Sequence, residues 1–222
     1  MLQRIEPKFG ILPEAQKQIW ASLAAAPQLD LILYGGTAVA LHLGHRTSVD
    51  FDFFRTEPLD KEEIRSSFPF AAGAAILQDR PNTLVVSAAM PSGRVKVSFF
   101  GGLRIGRVND PVRTTDSMLL VASLDDLMAT KLKTTLDRAE AKDYQDIAAM
   151  ISAGASLPIG LSAFKQMFQR EPAEVLRAIG FFGDGDLRNL SARERKILCD
   201  ARDQVGVLPT VRLRPGLSPA EE

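Results

Sequence analysis

The segment Val49–Phe54, VDFDFF, constrains the fold of this chain more than any other stretch. Side chains alternate between the two faces of a β-strand. The two phenylalanines, Phe51 and Phe53, then share one face, and the two aspartates share the other. The segment therefore predicts a strand that buries its aromatic side chains and presents Asp50 and Asp52 together, with their Cα atoms roughly 6.5 Å apart.

Two carboxylates this close repel each other unless a cation lies between them. Hard divalent ions prefer oxygen ligands, and Mg²⁺ commonly binds one or two carboxylates together with substrate phosphates. We therefore expect Asp50 and Asp52 to bind Mg²⁺ or Mn²⁺, and two bridged metal ions could also be held there. The alternative is a solvated strand face that carries two ordinary acids.

A candidate phosphate site lies upstream of the aspartates. A short buried strand, Asp30–Tyr34, runs into Gly35 and Gly36, and Thr37 is expected to cap the helix that follows. A helix N-terminus presents backbone N–H groups to an anion, and glycine lets a phosphate approach the backbone closely. The alternative is an ordinary strand–turn–helix connection.

Arg46 and Ser48 come just before the carboxylates. In a continued strand, Ser48 would share the face of Asp50 and Asp52, and Arg46 would lie two positions further back. A cation and a hydroxyl beside two acids are more typical of a phosphate-and-metal site than of a solvated sheet edge.

Lys131 belongs to a predicted helix over about 125–139, where it lies close to the apolar face while Lys133 lies on the far side. Lysine is rarely buried. Its amine either extends outward along its own stem or has a buried anionic partner, such as a bound triphosphate. On the next predicted helix, Asp143 is placed to cap the N-terminus, and Asp146 is expected to be solvated or paired locally.

Periodicity predicts a mixed α/β half followed by a helical half. We expect an α/β domain over 1–123, a helical domain over 124–207 and a flexible tail over 208–222. Further strands are predicted at about 75–78, 84–90, 95–100, 104–108 and 118–121, and further helices at about 13–26, 61–68, 143–153, 160–169, 172–180 and 191–205.

Composition argues against some classes of protein. The 27 basic and 27 acidic residues cancel, so a strongly basic nucleic-acid surface is not indicated. The single cysteine excludes an internal disulfide and favours a reducing, cytoplasmic location. No stretch of about 18 uninterrupted apolar residues predicts a membrane helix.

In their order and spacing, the motifs G-G-T, H-R-x-S-x-D-F-D-F-F and K-x6-R-x3-K-D-x2-D-I resemble those of AbiEii-type nucleotidyltransferases, over about residues 30–152. This family includes toxins of type IV toxin–antitoxin and abortive-infection systems and belongs to the DNA polymerase β-like superfamily. The resemblance implies an α+β fold, in which a polymerase β-like mixed sheet with flanking helices is followed by a helical C-terminal region.

The resemblance also implies an activity: Mg²⁺-dependent transfer of a nucleoside monophosphate from an NTP to an acceptor hydroxyl, on RNA such as tRNA, with an antitoxin encoded nearby. The implied site residues are Gly35, Gly36 and Thr37 for NTP phosphates, Arg46 and Ser48 as the basic and hydroxyl positions, Asp50 and Asp52 for the metal, Lys131 for nucleotide phosphate and Asp143 as a further acidic residue.

One position departs from the superfamily pattern. A third carboxylate often lies on a later strand, on the same face as the first pair, but here that position holds Ser98, with Lys96 on the same face. Either Asp143 substitutes for the missing acid, or the protein binds nucleotide with little turnover. A degenerate, non-catalytic nucleotide-binding regulatory module is thus the alternative to an enzyme. A third hypothesis is an interaction protein whose acidic strand is merely exposed.

Overall fold

The computed structural model describes residues 2–219 and divides them into two compact units. The first consists of residues 2–106, 110–122 and 215–219, and the second of residues 107–109 and 123–214. All eight strands of the described residues belong to the first unit, whereas the second unit is built from helices.

The first unit contains a mixed sheet. Its strands are β1 Arg4–Ile5, β2 Ile32–Tyr34, β3 Asp50–Phe54, β4 Ala75–Arg80, β5 Thr83–Met90, β6 Gly93–Phe100, β7 Val112–Thr114 and β8 Leu120–Val121. Their order in the sheet is β1-β7-β8-β2-β3-β6-β5-β4. β3 is antiparallel to β2 and parallel to β6, so the central strand joins both kinds of pairing. This architecture confirms the expected α+β class.

The strand predicted at 104–108 is wrong. Gly106 adopts a φ of +65°, which interrupts an extended chain, and Arg107 pairs with Arg214 in an isolated bridge rather than in a strand. The sheet instead uses Val112–Thr114, a strand of three residues that is too short to show an alternating pattern.

The helices of the first unit are α1 Glu14–Trp20, α2 Gly35–Leu43, α3 Lys61–Ser67 and α4 Pro69–Ala72. The first three correspond to predicted helices, with two differences, whereas α4 was not predicted. α1 is shorter than predicted and continues as a 3₁₀ turn. α2 begins at Gly35, so Thr37 lies inside the helix and Tyr34 occupies the N-cap position, contrary to the predicted Thr37 cap.

The second unit contains the five predicted helices: α5 Leu124–Asp137, α6 Ala141–Ser152, α7 Leu157–Phe168, α8 Pro172–Ala178 and α9 Ala192–Asp203. Ser191 and Glu194 form the predicted capping box of α9. No helix among the described residues combines the length and the apolar character that crossing a membrane requires.

The core of the first unit fixes the orientation of β3. Phe51 and Phe53 are fully buried, and Phe53 stacks on Phe99 of β6 at 5.7 Å between ring centroids. Full burial of a phenylalanine stabilises a fold by roughly 1.5–3 kcal/mol, so a one-residue register slip, which would expose both rings, is strongly disfavoured. Asp50 and Asp52 therefore face the other side, as predicted, and both are half-buried.

The segment after α9, predicted to be a flexible tail, makes contacts in each unit. In the second unit, Ser162 Oγ donates to the Pro209 carbonyl, and Val211 is buried. In the first unit, Leu217 is buried and its backbone N–H donates to Thr56 Oγ1 at 2.9 Å. Residues 220–222 of the predicted tail lie outside the described residues.

Candidate active site

The carboxylate pair is positioned by three neighbouring strands. Asp52 is opposite Tyr34 of β2 and opposite Ser98 of β6. Asp50 is opposite Lys96 of β6, whose Nζ lies 2.9 Å from Asp50 Oδ2. The pair therefore has a lysine beside one acid and a neutral, buried hydroxyl beside the other.

Gly35, the first residue of α2, touches the carboxylate of Asp52. Its φ is +74°, a left-handed conformation that favours glycine. A Cβ built on Gly35 would lie 2.6 Å from Asp52 Oδ2, which is closer than side chains normally approach. Glycine is therefore favoured here for two reasons, its backbone conformation and the space that Asp52 occupies.

The proximity of Asp52 to Gly35 places a carboxylate at the start of α2. The first turn of an α-helix leaves backbone N–H groups without intrahelical acceptors, and the helix dipole adds partial positive charge there. Gly35, Gly36 and Thr37 supply the first N–H groups of α2. The arrangement suits an anion, or an anion and a metal ion together.

Thr37 and Ser48 connect α2 to the start of β3. Both are buried, the Thr37 hydroxyl hydrogen-bonds to the backbone carbonyl of Asp50, and the Thr37 and Ser48 hydroxyls lie 2.8 Å apart. Their hydroxyls therefore hold the segment that carries the aspartates. Arg46 donates from Nη1 to the Thr47 carbonyl at 3.0 Å.

The second unit holds an ionic cluster in which Lys131, Asp143 and Asp146 are buried and Arg138 is partly exposed. The side chain of Lys131 is only 6% exposed, and its Nζ lies 2.8 Å from Asp143 Oδ1 and 2.6 Å from Asp146 Oδ2. Lys131 thus has buried anionic partners and does not extend to the surface. Asp146 is fully buried, so the prediction that it is solvated is wrong, and its partner Lys131 lies on another helix rather than nearby in the chain.

Asp143 lies at the centre of this cluster and does not cap α6. The helix begins at Ala141, whose N–H donates to Asp186 Oδ1 at 2.6 Å, and Asp143 follows within the first turn. Arg138 donates from Nε to Asp143 Oδ2 at 2.9 Å and from Nη2 to Oδ1 at 3.3 Å. Asp143 therefore accepts hydrogen bonds from two cationic side chains.

The protonation state of Asp143 follows from these contacts. Burial raises the pKa of this carboxyl, but the hydrogen bond from Arg138 and the charge of Lys131 outweigh burial and hold the pKa below its ordinary value. Asp143 is therefore ionised at neutral pH. A carboxylate that is fully buried and already paired with two cations is a weak proton acceptor.

Comparison with known proteins gives the family. The family model of the AbiEii nucleotidyl transferase toxins of type IV toxin–antitoxin systems matches residues 19–204. The chain belongs to this family.

Two further similarities accompany the AbiEii match. An uncharacterized protein of Aquifex aeolicus (strain VF5) is 30% identical to this chain over 120 residues. The match covers 53% of this chain and 56% of that protein, so the chain spans about half the length of this relative. The structure of MenT4, a nucleotidyltransferase toxin of Mycobacterium tuberculosis H37Rv, has a similar fold, with a TM-score of 0.55 and a sequence identity of 14%. The similarity covers 84% of this chain and 82% of the MenT4 chain.

The position at which the sequence comparison led us to expect a third carboxylate holds Ser98, which is in register with Asp52. Among residues 2–219, no group of three or more histidines, cysteines and acids is arranged to hold a metal ion. Two carboxylates still fit one Mg²⁺ or Mn²⁺, because these ions accept one or two protein oxygens and take the rest from phosphates and water.

Two features of the AbiEii site were not expected from sequence. Gly35 was predicted only to bind phosphate, although the glycine also makes room for Asp52. Asp146 was not predicted to be a site residue, although it holds Lys131. Its spacing from Asp143, three residues on a helix, was the available signal, because i and i+3 share a helix face.

Proposed function

We propose that this protein is a Mg²⁺- or Mn²⁺-dependent nucleotidyltransferase that transfers a nucleoside monophosphate from an NTP to an acceptor hydroxyl and releases pyrophosphate. The observation that carries the proposal is the contact between Gly35 and Asp52. This contact places the Asp52 carboxylate, a common ligand of divalent metal ions, at the N-terminus of α2, where backbone N–H groups can bind phosphate. Membership of the AbiEii family supports the class of reaction.

In the first unit, the start of α2 would hold nucleotide phosphates through the backbone N–H groups of Gly35, Gly36 and Thr37. Asp50 and Asp52 would hold the metal ion, which when bound supplies positive charge to the reacting phosphate and favours ionisation of the attacking hydroxyl. Thr37 and Ser48 position these acids through their hydroxyls. Arg46 is assigned to phosphate binding.

In the second unit, Lys131 would bind nucleotide phosphate through its ammonium group. Asp143 is assigned to orienting Lys131 and not to accepting a proton, because it is ionised, buried and hydrogen-bonded by Arg138. Asp146 holds the same ammonium from a second side. With two cations and two anions, the cluster has formal charges that cancel.

The acceptor and the partner are further parts of the proposal. RNA, including tRNA, is proposed as the acceptor, and a protein antitoxin encoded nearby as the partner, because the matched family consists of toxins of type IV toxin–antitoxin systems. A cytoplasmic location is proposed from the single cysteine.

The test is incubation of the purified protein with each α-labelled NTP, Mg²⁺ or Mn²⁺ and total RNA, followed by a denaturing gel. Wild type should label RNA, and Asp52→Asn should lower labelling at least about 100-fold if the acid binds the metal. Asp79→Asn is the matched control, since Asp79 is an exposed acid on β4 of the same sheet. Full labelling by Asp52→Asn would reject the assignment of Asp52.

A non-catalytic nucleotide-binding module is the second candidate, and Ser98 opposite Asp52 favours it. A ligand that binds only the folded state stabilises it by RT ln(1 + [L]/Kd). Thermal stabilisation by Mg²⁺ and an NTP, with no pyrophosphate release in the presence of RNA, would favour this candidate over the enzyme.

A further inference from the structure

Lys96 is the basic side chain of β6 that faces the carboxylate pair. β3 and β6 run parallel in register, with Lys96 opposite Asp50 and Ser98 opposite Asp52. The Lys96 Nζ lies 2.9 Å from Asp50 Oδ2. The protein itself therefore places a cation on one of the two carboxylates proposed to bind the metal.

The formal charges of these four side chains show how Lys96 affects the binding of a divalent ion. Asp50 and Asp52 carry two negative charges, Lys96 carries one positive charge, and Ser98 is neutral. No third carboxylate offsets the lysine at the register position opposite Asp52. The ammonium thus halves the net negative charge available to a divalent ion.

The ion pair is also accessible enough to exchange. The side chains of Lys96 and Asp50 are 42% and 35% exposed. Solvent screens ion pairs of this kind, and they contribute little to stability. Lys96 can therefore leave Asp50 when a better anion is present, such as the phosphates of a bound nucleotide.

We infer that Lys96 competes with the divalent ion for Asp50, so that the free protein binds the metal weakly and a bound nucleotide strengthens metal binding by drawing Lys96 away. This inference rests on the proposed function. The ammonium and the metal repel each other at close range, and phosphate oxygens give the ammonium another partner. The result is coupling between metal and nucleotide, which acts equally in both directions.

The experiment is a calorimetric titration of the full chain with Mn²⁺ alone, without nucleotide or RNA. Lys96→Met should bind Mn²⁺ about tenfold more tightly than wild type, because a nearby positive charge is removed. Lys96→Arg keeps the charge and should bind Mn²⁺ with wild-type affinity. Lys61→Met is the matched control, since Lys61 pairs with Asp79 elsewhere in the same unit.

Two further titrations connect the effect to the carboxylate pair. Asp52→Asn added to Lys96→Met should abolish the gain in Mn²⁺ affinity. A non-hydrolysable NTP should tighten Mn²⁺ binding at least about tenfold in wild type and by a smaller factor in Lys96→Met. Unfolding curves of each variant show whether the fold is retained.

Unchanged Mn²⁺ affinity in Lys96→Met would overturn the inference, as would the absence of Mn²⁺ binding in every variant. Each outcome is measured by metal binding, whereas failure of the proposed function shows as missing nucleotide incorporation by wild type. The Mn²⁺ titration involves no turnover, so it decides the role of Lys96 whether or not RNA is labelled.

Discussion

Among single residues, Gly35 shapes the candidate site through its backbone conformation and through its lack of a side chain. It starts α2 with a left-handed backbone conformation and lies against the carboxylate of Asp52. A methyl group at this position meets two obstacles, a strained φ and an occupied space. The position therefore tests whether the placement of Asp52 matters for function.

Gly35→Ala should lower nucleotide incorporation at least about tenfold, because the new Cβ displaces Asp52, and should lower the unfolding free energy by about 1 kcal/mol or more. Gly73→Ala is the control, since a Cβ added at Gly73 would meet no described atom within 4 Å and the φ of Gly73 is not positive. Labelling assays and urea unfolding measure the two effects. Wild-type labelling by Gly35→Ala would contradict the proposed position of Asp52.

Lys131 and Lys133 show how one helix gives two lysines different environments. Lys131 is buried between Asp143 and Asp146, whereas Lys133 forms a partly exposed pair with Asp137 on its own helix. Removing one partner of a buried ion pair leaves an uncompensated charge, while an exposed pair is screened by water.

Lys131→Met should lower the unfolding free energy by about 3–5 kcal/mol, because it leaves Asp146 and Asp143 buried without their ammonium. Lys133→Met should change it by about 0–1 kcal/mol. Chemical denaturation of the two variants measures the difference. Equal destabilisation would show that the buried cluster contributes no more than an exposed pair.

Among the elements, the N-terminus of α5 depends on a buried carboxyl. Ser123 caps the helix, and its hydroxyl donates to Asp126 Oδ2 at 2.6 Å. The N–H groups of Val108 and Asn109 also donate to Asp126. Burial nevertheless raises the pKa of Asp126 from 3.8 to about 6, because these hydrogen bonds only partly offset the loss of water.

This raised pKa predicts a pH dependence. Between roughly pH 4 and pH 6 the folded state holds a proton on Asp126 that the unfolded state releases. The contribution of this proton to the unfolding free energy is therefore complete below about pH 4 and is lost as the pH rises through about 6. Relative to Asp126→Asn, wild type should lose up to about 3 kcal/mol of unfolding free energy between pH 4 and pH 7. Denaturation of both proteins across this range checks it, and a constant difference would contradict the raised pKa.

Across the whole molecule, the first unit is completed by the end of the chain. Residues 215–219 belong to it although they follow the helices of the second unit in sequence. Leu217 is 1% exposed, and its N–H donates to Thr56 Oγ1. The C-terminal segment therefore contributes buried apolar area to the unit that carries Asp50 and Asp52.

Leu217→Ala should lower the unfolding free energy by about 2–4 kcal/mol, because it removes buried side-chain atoms and leaves a cavity. Val207→Ala should change it by less than about 0.5 kcal/mol, since Val207 is 99% exposed. Thermal or chemical unfolding distinguishes the two substitutions. A Leu217→Ala variant as stable as wild type would show that the segment contributes little to the unit.

Features that depend on local periodicity could be predicted from the amino-acid sequence. The alternation in Val49–Phe54 specified the buried and exposed faces of β3, and apolar spacing indicated the helices from α5 to α9. Ser191 and Glu194 marked a helix start, because a capping box involves residues three apart. The motif pattern indicated the family. The roles of the site residues in binding and catalysis stay predictions.

Which residues from distant parts of the chain meet could be learned only from the folded protein. The contact of Gly35 with Asp52, the pairing of Lys96 with Asp50 and the burial of Asp146 against Lys131 each join different elements. Sheet order and register bring these atoms together in the first unit, and helix packing does so in the second. Local sequence patterns specify which face a side chain occupies, but the partner across that face is fixed only when the elements pack.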